Sequence, residues 1–169
     1  AQNLAHLRLQ LSNGSSLYNT DFYFNDNASL GMDPGYDSAM FENNTPDFAL
    51  YSHLVENNSG KDLAVQSVSF SDLDTVTIPL GINTVQGVQA TVSILESTVP
   101  EGVTVILEDT FEPPKTAKTG FSPSSNIFLR LKISCANKAP KHLLFGKYLA
   151  IMVVEACALC AVPKASFTY

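Results

Sequence analysis

Ala5-His-Leu-Arg-Leu-Gln-Leu11, then Ser12-Asn13-Gly14-Ser15, then Leu17-Tyr-Asn-Thr-Asp-Phe-Tyr-Phe24 is the stretch that decides the fold. Ala5, Leu7, Leu9 and Leu11 alternate with His6, Arg8 and Gln10, and a period of two over seven residues is the mark of a half-buried strand. The Asn-Gly step supplies the positive φ angles of a tight hairpin, so the aromatic-rich run after it reads as the returning strand. Working outward, the same chemistry predicts strands over 48–54, 62–70, 75–80, 87–95, 103–107 and 126–133. Clusters of Gly, Pro, Asn and Asp separate them, and residues 25–44 read as one polar loop. Many short strands divided by turn residues mean an all-β domain, here expected to be an antiparallel, jelly-roll-like β-sandwich.

The chain has 169 residues, of which 45% are apolar, enough for one core without disulfides or metals. Only 15% are charged, and the net charge is −6. An acidic chain is a poor partner for phosphate backbones, so nucleic acid is excluded as a ligand, and the absence of long apolar runs argues against a membrane span. The charge is uneven. Residues 1–113 hold fifteen acids and two bases, Arg8 and Lys61, for a net of −13; residues 114–169 hold eight bases and one acid, Glu155, for a net of +7. The break suggests a β-module over 1–133 and a basic, apolar tail over 134–169 that completes the sandwich or docks on it. Within it, the apolar run His142–Val162 reads as one or two buried strands or a buried helix. The opening Ala-Gln-Asn leads straight into a strand, as in a mature secreted protein after its signal is removed, so a secreted, surface-associated location is expected.

Three constellations are candidates for chemistry. In the 25–44 loop, Asp33-Pro-Gly-Tyr-Asp37 places two carboxylates at a spacing that suits calcium, which takes oxygen ligands from loops. The plainer reading, an ordered loop whose Asp and Asn side chains bond their own backbone, is preferred. Cys157-Ala-Leu-Cys160, with Cys135 and His142, has the ligand types of a zinc site or a redox pair, but no second clustered pair accompanies it. Buried thiols are the preferred reading. Tyr18, Tyr23, Tyr36 and Tyr51 sit among Asn and Asp residues, the composition of a sugar-binding surface, although the chain has no Trp. Nothing in the sequence forms a G-x-S-x-G elbow or a glycine-rich phosphate loop, so no catalytic residues are assigned and no enzyme is expected.

Asn27-Ala-Ser-Leu-Gly-Met-Asp33-Pro-Gly-Tyr-Asp37, Phe48-Ala-Leu-Tyr-Ser-His-Leu-Val-Glu56, Asp62-Leu-Ala-Val-Gln66, Ile78-Pro-Leu-Gly-Ile82 and Leu107-Glu-Asp-Thr110 together resemble a β-rich accessory module. It is a module of secreted and cell-surface Bacteroidetes proteins, flavobacterial ones in particular, of the type IX secretion kind that carry a C-terminal sorting domain. The likeness covers about residues 4–131. It implies location and architecture more than activity, and it carries no catalytic residues. Beyond residue 131 the basic, cysteine-bearing tail departs from the module's pattern. The expected role is therefore a non-catalytic structural or adhesive module that contacts other protein modules or copies of itself. The alternative is a carbohydrate-binding module serving a polysaccharide-degrading enzyme, with a cell-surface or algal polysaccharide as ligand. No cofactor is expected beyond the calcium weighed above.

Overall fold

The computed structural model describes residues 3–40, 46–85, 88–109, 124–135, 152–155 and 164–167. Among them the chain is all-β: β1 (Leu4–Ser12), β2 (Leu17–Asn25), β3 (Ser38–Ala39), β4 (Ala49–Ser52), β5 (Leu63–Ser69), β6 (Thr77–Val85), β7 (Gln89–Ser97), β8 (Val103–Asp109), β9 (Ser124–Cys135), β10 (Met152–Glu155) and β11 (Lys164–Phe167). A 3-10 turn, Phe70–Asp72, follows β5. No helix among the described residues is long and apolar enough to cross a membrane.

The strands form one continuous sheet in the order β11-β10-β7-β1-β2-β5-β4-β6-β9-β8, with β3 beside β5, curled into a half-barrel. The all-β expectation holds, and the curl of this one mixed sheet around a common core is broadly consistent with the expected sandwich. Among the described strands, pairing is antiparallel except between β2 and β5, which run parallel. A parallel pair needs a long crossover, and residues 26–62, which contain β3 and β4, provide it. In the tail, β10 pairs with β7 and β11 with β10, extending the same sheet.

Period-two alternation explains the core. On β1, Ala5, Leu7, Leu9 and Leu11 are all buried; on β2, Phe22 and Phe24 are; on β6, Ile78, Leu80 and Ile82 are. With Val68, Ala90, Val92, Leu131 and Ile133 these belong to a single hydrophobic cluster. Leu9, Val92 and Ile94 of one wing meet Val105, Leu107 and Leu131 of the other around a void of about 10 Å³. That is at the lower limit for one water, so the wings are in contact.

The first hairpin differs from its expected form. Ser12 pairs with Leu17, so the connection is the four residues 13–16. Only Gly14 takes a positive φ there, +89°. Asn13 acts through its side chain instead, its Oδ1 accepting from the Ser15 and Ser16 amides at 3.0 and 2.7 Å. This loop sets the register that places Tyr23 opposite His6 and Asp21 opposite Arg8.

Candidate functional site

The outer face of β1, β2 and β5, beside the 29–37 loop, holds an open cleft of about 380 Å³ lined by Leu4, Tyr23, Asn25, Gly35, Tyr36 and Ser67. Tyr23 points out of the sheet because it lies between the inward Phe22 and Phe24. Its Cα neighbours are His6 on β1 and Ser67 on β5. Asn25 closes β2, where its Oδ1 accepts from the Asn27 amide at 3.0 Å and turns the chain away.

Tyr36 reaches the cleft through turn chemistry. Asp33-Pro-Gly-Tyr has proline at the second turn position and glycine at the third, with Gly35 at φ +88° and the Tyr36 amide donating to the Asp33 carbonyl at 3.0 Å. The turn is latched to the sheet. Asp37 Oδ1 accepts from the Ser67 amide at 2.7 Å, and Ser67 Oγ donates to the Tyr36 carbonyl at 3.1 Å. Tyr36 itself stays 44% exposed, and Leu4 on the far side 65%. The two rings are therefore carried by a rigid strand and a pinned turn.

Asp33 and Asp37 are staples of this loop. Asp33 accepts from the Ser29 amide at 2.6 Å and from its hydroxyl at 3.0 Å, while Asp37 Oδ2 accepts from the Asp33 amide at 2.6 Å. With the Ser67 bond, all four carboxylate oxygens take hydrogen bonds from the loop and its neighbouring strand, the ordered-loop arrangement weighed beside calcium. Among the described residues no group of three or more His, Cys, Asp or Glu side chains could hold a metal ion. Burial pushes the Asp37 carboxyl above its ordinary range; the Ser67 and Asp33 amides pull it down, and the Asp33 charge adds to the rise.

The four tyrosines separate into two kinds. Tyr23 and Tyr36 share the cleft. Tyr18 is half-buried against the core, where burial pushes its phenol up. Tyr51 is 4% exposed, its hydroxyl donates to Asn83 Oδ1 at 3.3 Å, and burial, helped by the Asp62 charge, pushes its phenol up to about 12. Cys135 ends β9, whereas Cys157, Cys160 and His142 lie outside the described residues.

Leu4, Asn25 and Ser67, together with an ionic cluster next to the cleft, are the members that sequence reading missed. His6 stacks on Tyr23 with ring centroids 4.7 Å apart, and its Nε2 lies 2.7 Å from Asp21 Oδ1. Arg8 donates through Nε to the same oxygen at 2.7 Å and through a terminal nitrogen to Glu96 at 3.2 Å. Outward parity on β1 and β2 was the available signal, but it becomes a cluster only once the hairpin register is known. For Asp21, burial alone raises the carboxyl; hydrogen bonds from Arg8 and His6, with their charges, outweigh it and hold it below its ordinary value. A depressed carboxyl stabilises the fold above its unfolded value of about 3.9, and that contribution is lost as pH falls through the folded value. Asp21→Asn is therefore expected to lower stability at pH 7 by under about 1 kcal/mol, because the pair is partly exposed. Urea titrations should show the gap between variant and parent closing as pH falls below the ordinary carboxylate range. An unchanged gap would contradict this ion-pair account.

No protein-family model matches the chain, and neither a curated protein nor a solved structure does.

Proposed function

We propose that the protein is a non-catalytic, extracellular binding module that holds a carbohydrate in the Leu4–Tyr23–Asn25–Tyr36–Ser67 cleft. One observation carries the reading: two tyrosines are brought together in an open cleft beside an amide and a hydroxyl. Tyrosine offers a flat apolar ring with a polar tip at little entropic cost, which suits a sugar, apolar on its ring faces and hydroxylated at its rim. Asn25 and Ser67 are buried in the cleft floor and bonded to the Asn27 amide and the Tyr36 carbonyl, so they shape the pocket, and the tyrosine hydroxyls are the polar groups that orient a ligand. Pre-organisation by the Asp37–Ser67 latch removes ordering entropy that binding would otherwise have to overcome.

The test is a glycan array followed by titration calorimetry on the best ligand. Tyr36→Ala is expected to weaken binding about tenfold or more, equivalent to about 1.4 kcal/mol, with no change in the unfolding midpoint because Tyr36 is exposed. Binding unaffected by this substitution, or no binding to any glycan, would remove the reading.

A second reading rests on the charge split, −13 over residues 1–113 against +7 over 114–169. It makes the module a partner for other modules or for copies of itself, with the acidic body attracting the basic tail. Light scattering should then show an oligomer whose mass falls as salt rises. A monomer at every salt concentration would eliminate it.

A further inference from the structure

The outer face of the β1–β2 hairpin adjoins the cleft at Tyr23. Tyr23 belongs to both: its ring lines the cleft and stacks on His6. Beyond His6 come the Arg8–Asp21 pair and then Gln10, whose Nε2 donates to Asn19 Oδ1 at 3.1 Å. From the Leu4–Asn25 pair to the Gln10–Asn19 pair is six residues of strand, or about 20 Å at the antiparallel rise. That length accommodates several sugar rings, whereas the cleft alone takes the end of one chain.

Among the described residues, the one permanent cation on this face is already engaged by acids. Arg8 lies between Asp21 and Glu96, at 2.7 and 3.2 Å, and His6 lies against Asp21. Beside the cleft stand acids: Asp26, which follows Asn25 and accepts from the Asn3 amide at 3.0 Å, and the loop carboxylates Asp33 and Asp37. An anionic glycan would bring its carboxylates or sulfates into this acidic surround with Arg8 already engaged. A neutral chain meets no such repulsion, and its hydroxyls can both donate to the carboxylates and amide oxygens and accept from the guanidinium and amide N–H groups.

We infer that the ligand is an extended neutral oligosaccharide, anchored between Tyr23 and Tyr36 and lying along the Arg8–Asp21 and Gln10–Asn19 rungs of the hairpin. This rests on the carbohydrate-binding reading above and adds the ligand's charge and length. The experiment uses calorimetry on the full chain with neutral β-glucan, β-mannan, xylan and galactan series, each as disaccharide and hexasaccharide, and with oligogalacturonate as the anionic control. The hexasaccharide of the preferred neutral series is expected to bind at least about tenfold tighter than its disaccharide. The double variant Gln10→Ala/Asn19→Ala, altered only at surface amides, should remove most of that gain and leave disaccharide affinity unchanged. Equal affinity for both lengths, an equal loss at both lengths, or preference for oligogalacturonate overturns the inference while the cleft reading stands. No binding by any saccharide overturns both.

Discussion

Phe24→Ala is expected to destabilise the fold by about 3–5 kcal/mol, and Phe22→Ala by an amount at the lower end of that range. Both rings are completely buried in the same cluster. The loss in each case combines the transfer free energy of the ring with the cavity it leaves, since neighbouring strands relax only in part. What separates them is the residue beside each on β5. Phe24 lies next to Val68, so its cavity is apolar and stays dry. Phe22 lies next to Gln66. Gln66 is also fully buried, and neither its amide nitrogen nor its oxygen has a hydrogen-bond partner among the described residues. A cavity opened at position 22 admits water to that amide, and the satisfied polar group offsets part of the loss. Chemical denaturation of the two variants measures the difference directly; equal losses, or a larger one at Phe22, would contradict it.

The second large effect is at Gly81. This glycine lies on β6 opposite Tyr51 of β4, and a Cβ built there would coincide with atoms of the Tyr51 ring. The ring has little freedom to retreat: it is buried, held by the Asn83 bond, and packed edge-on against His53 at 5.5 Å. Gly81→Ala is expected to cost about 1–3 kcal/mol, as overpacking of a close-packed site does. In a Tyr51→Ala background the same substitution should cost almost nothing, because the obstructing ring is gone. A double-mutant cycle therefore reads the contact itself. If Gly81→Ala costs the same with and without Tyr51, the requirement for glycine lies elsewhere.

The strands were legible in the sequence for one reason: a sheet with one buried face writes its alternation into the chain. The expected 5–11, 17–24 and 126–133 fall within β1, β2 and β9, whereas the expected 75–80 meets only the first half of β6, which runs on to Val85. What stayed hidden follows from the same physics. β4 is buried at all four of its positions, so alternation says nothing there about which way Tyr51 points. Curling one sheet into a half-barrel and running β2 parallel to β5 are decided by long-range pairing, on which local periodicity is silent. Any shift of the first hairpin's register by two residues would keep the same residues facing inward, so alternation does not fix the register, and the loop does. Parity on β2 was nonetheless informative. Tyr18, Phe22 and Phe24 share one face, which marks Tyr18 for the core side and Tyr23 for solvent. Tyr36 was legible through Pro34 and Gly35, but its meeting with Tyr23 depends on Asp37 reaching Ser67, thirty residues along the chain.

The cleft is the centre of this account, and the most direct test is to map a bound sugar onto it. In amide and side-chain NMR spectra titrated with the best neutral oligosaccharide, the largest shifts are expected at Leu4, Tyr23, Asn25, Gly35, Tyr36 and Ser67. They should continue along His6 to Gln10 as the ligand lengthens. Shifts confined to another face, or none at saturating sugar, would contradict the assignment of this cleft as the binding site.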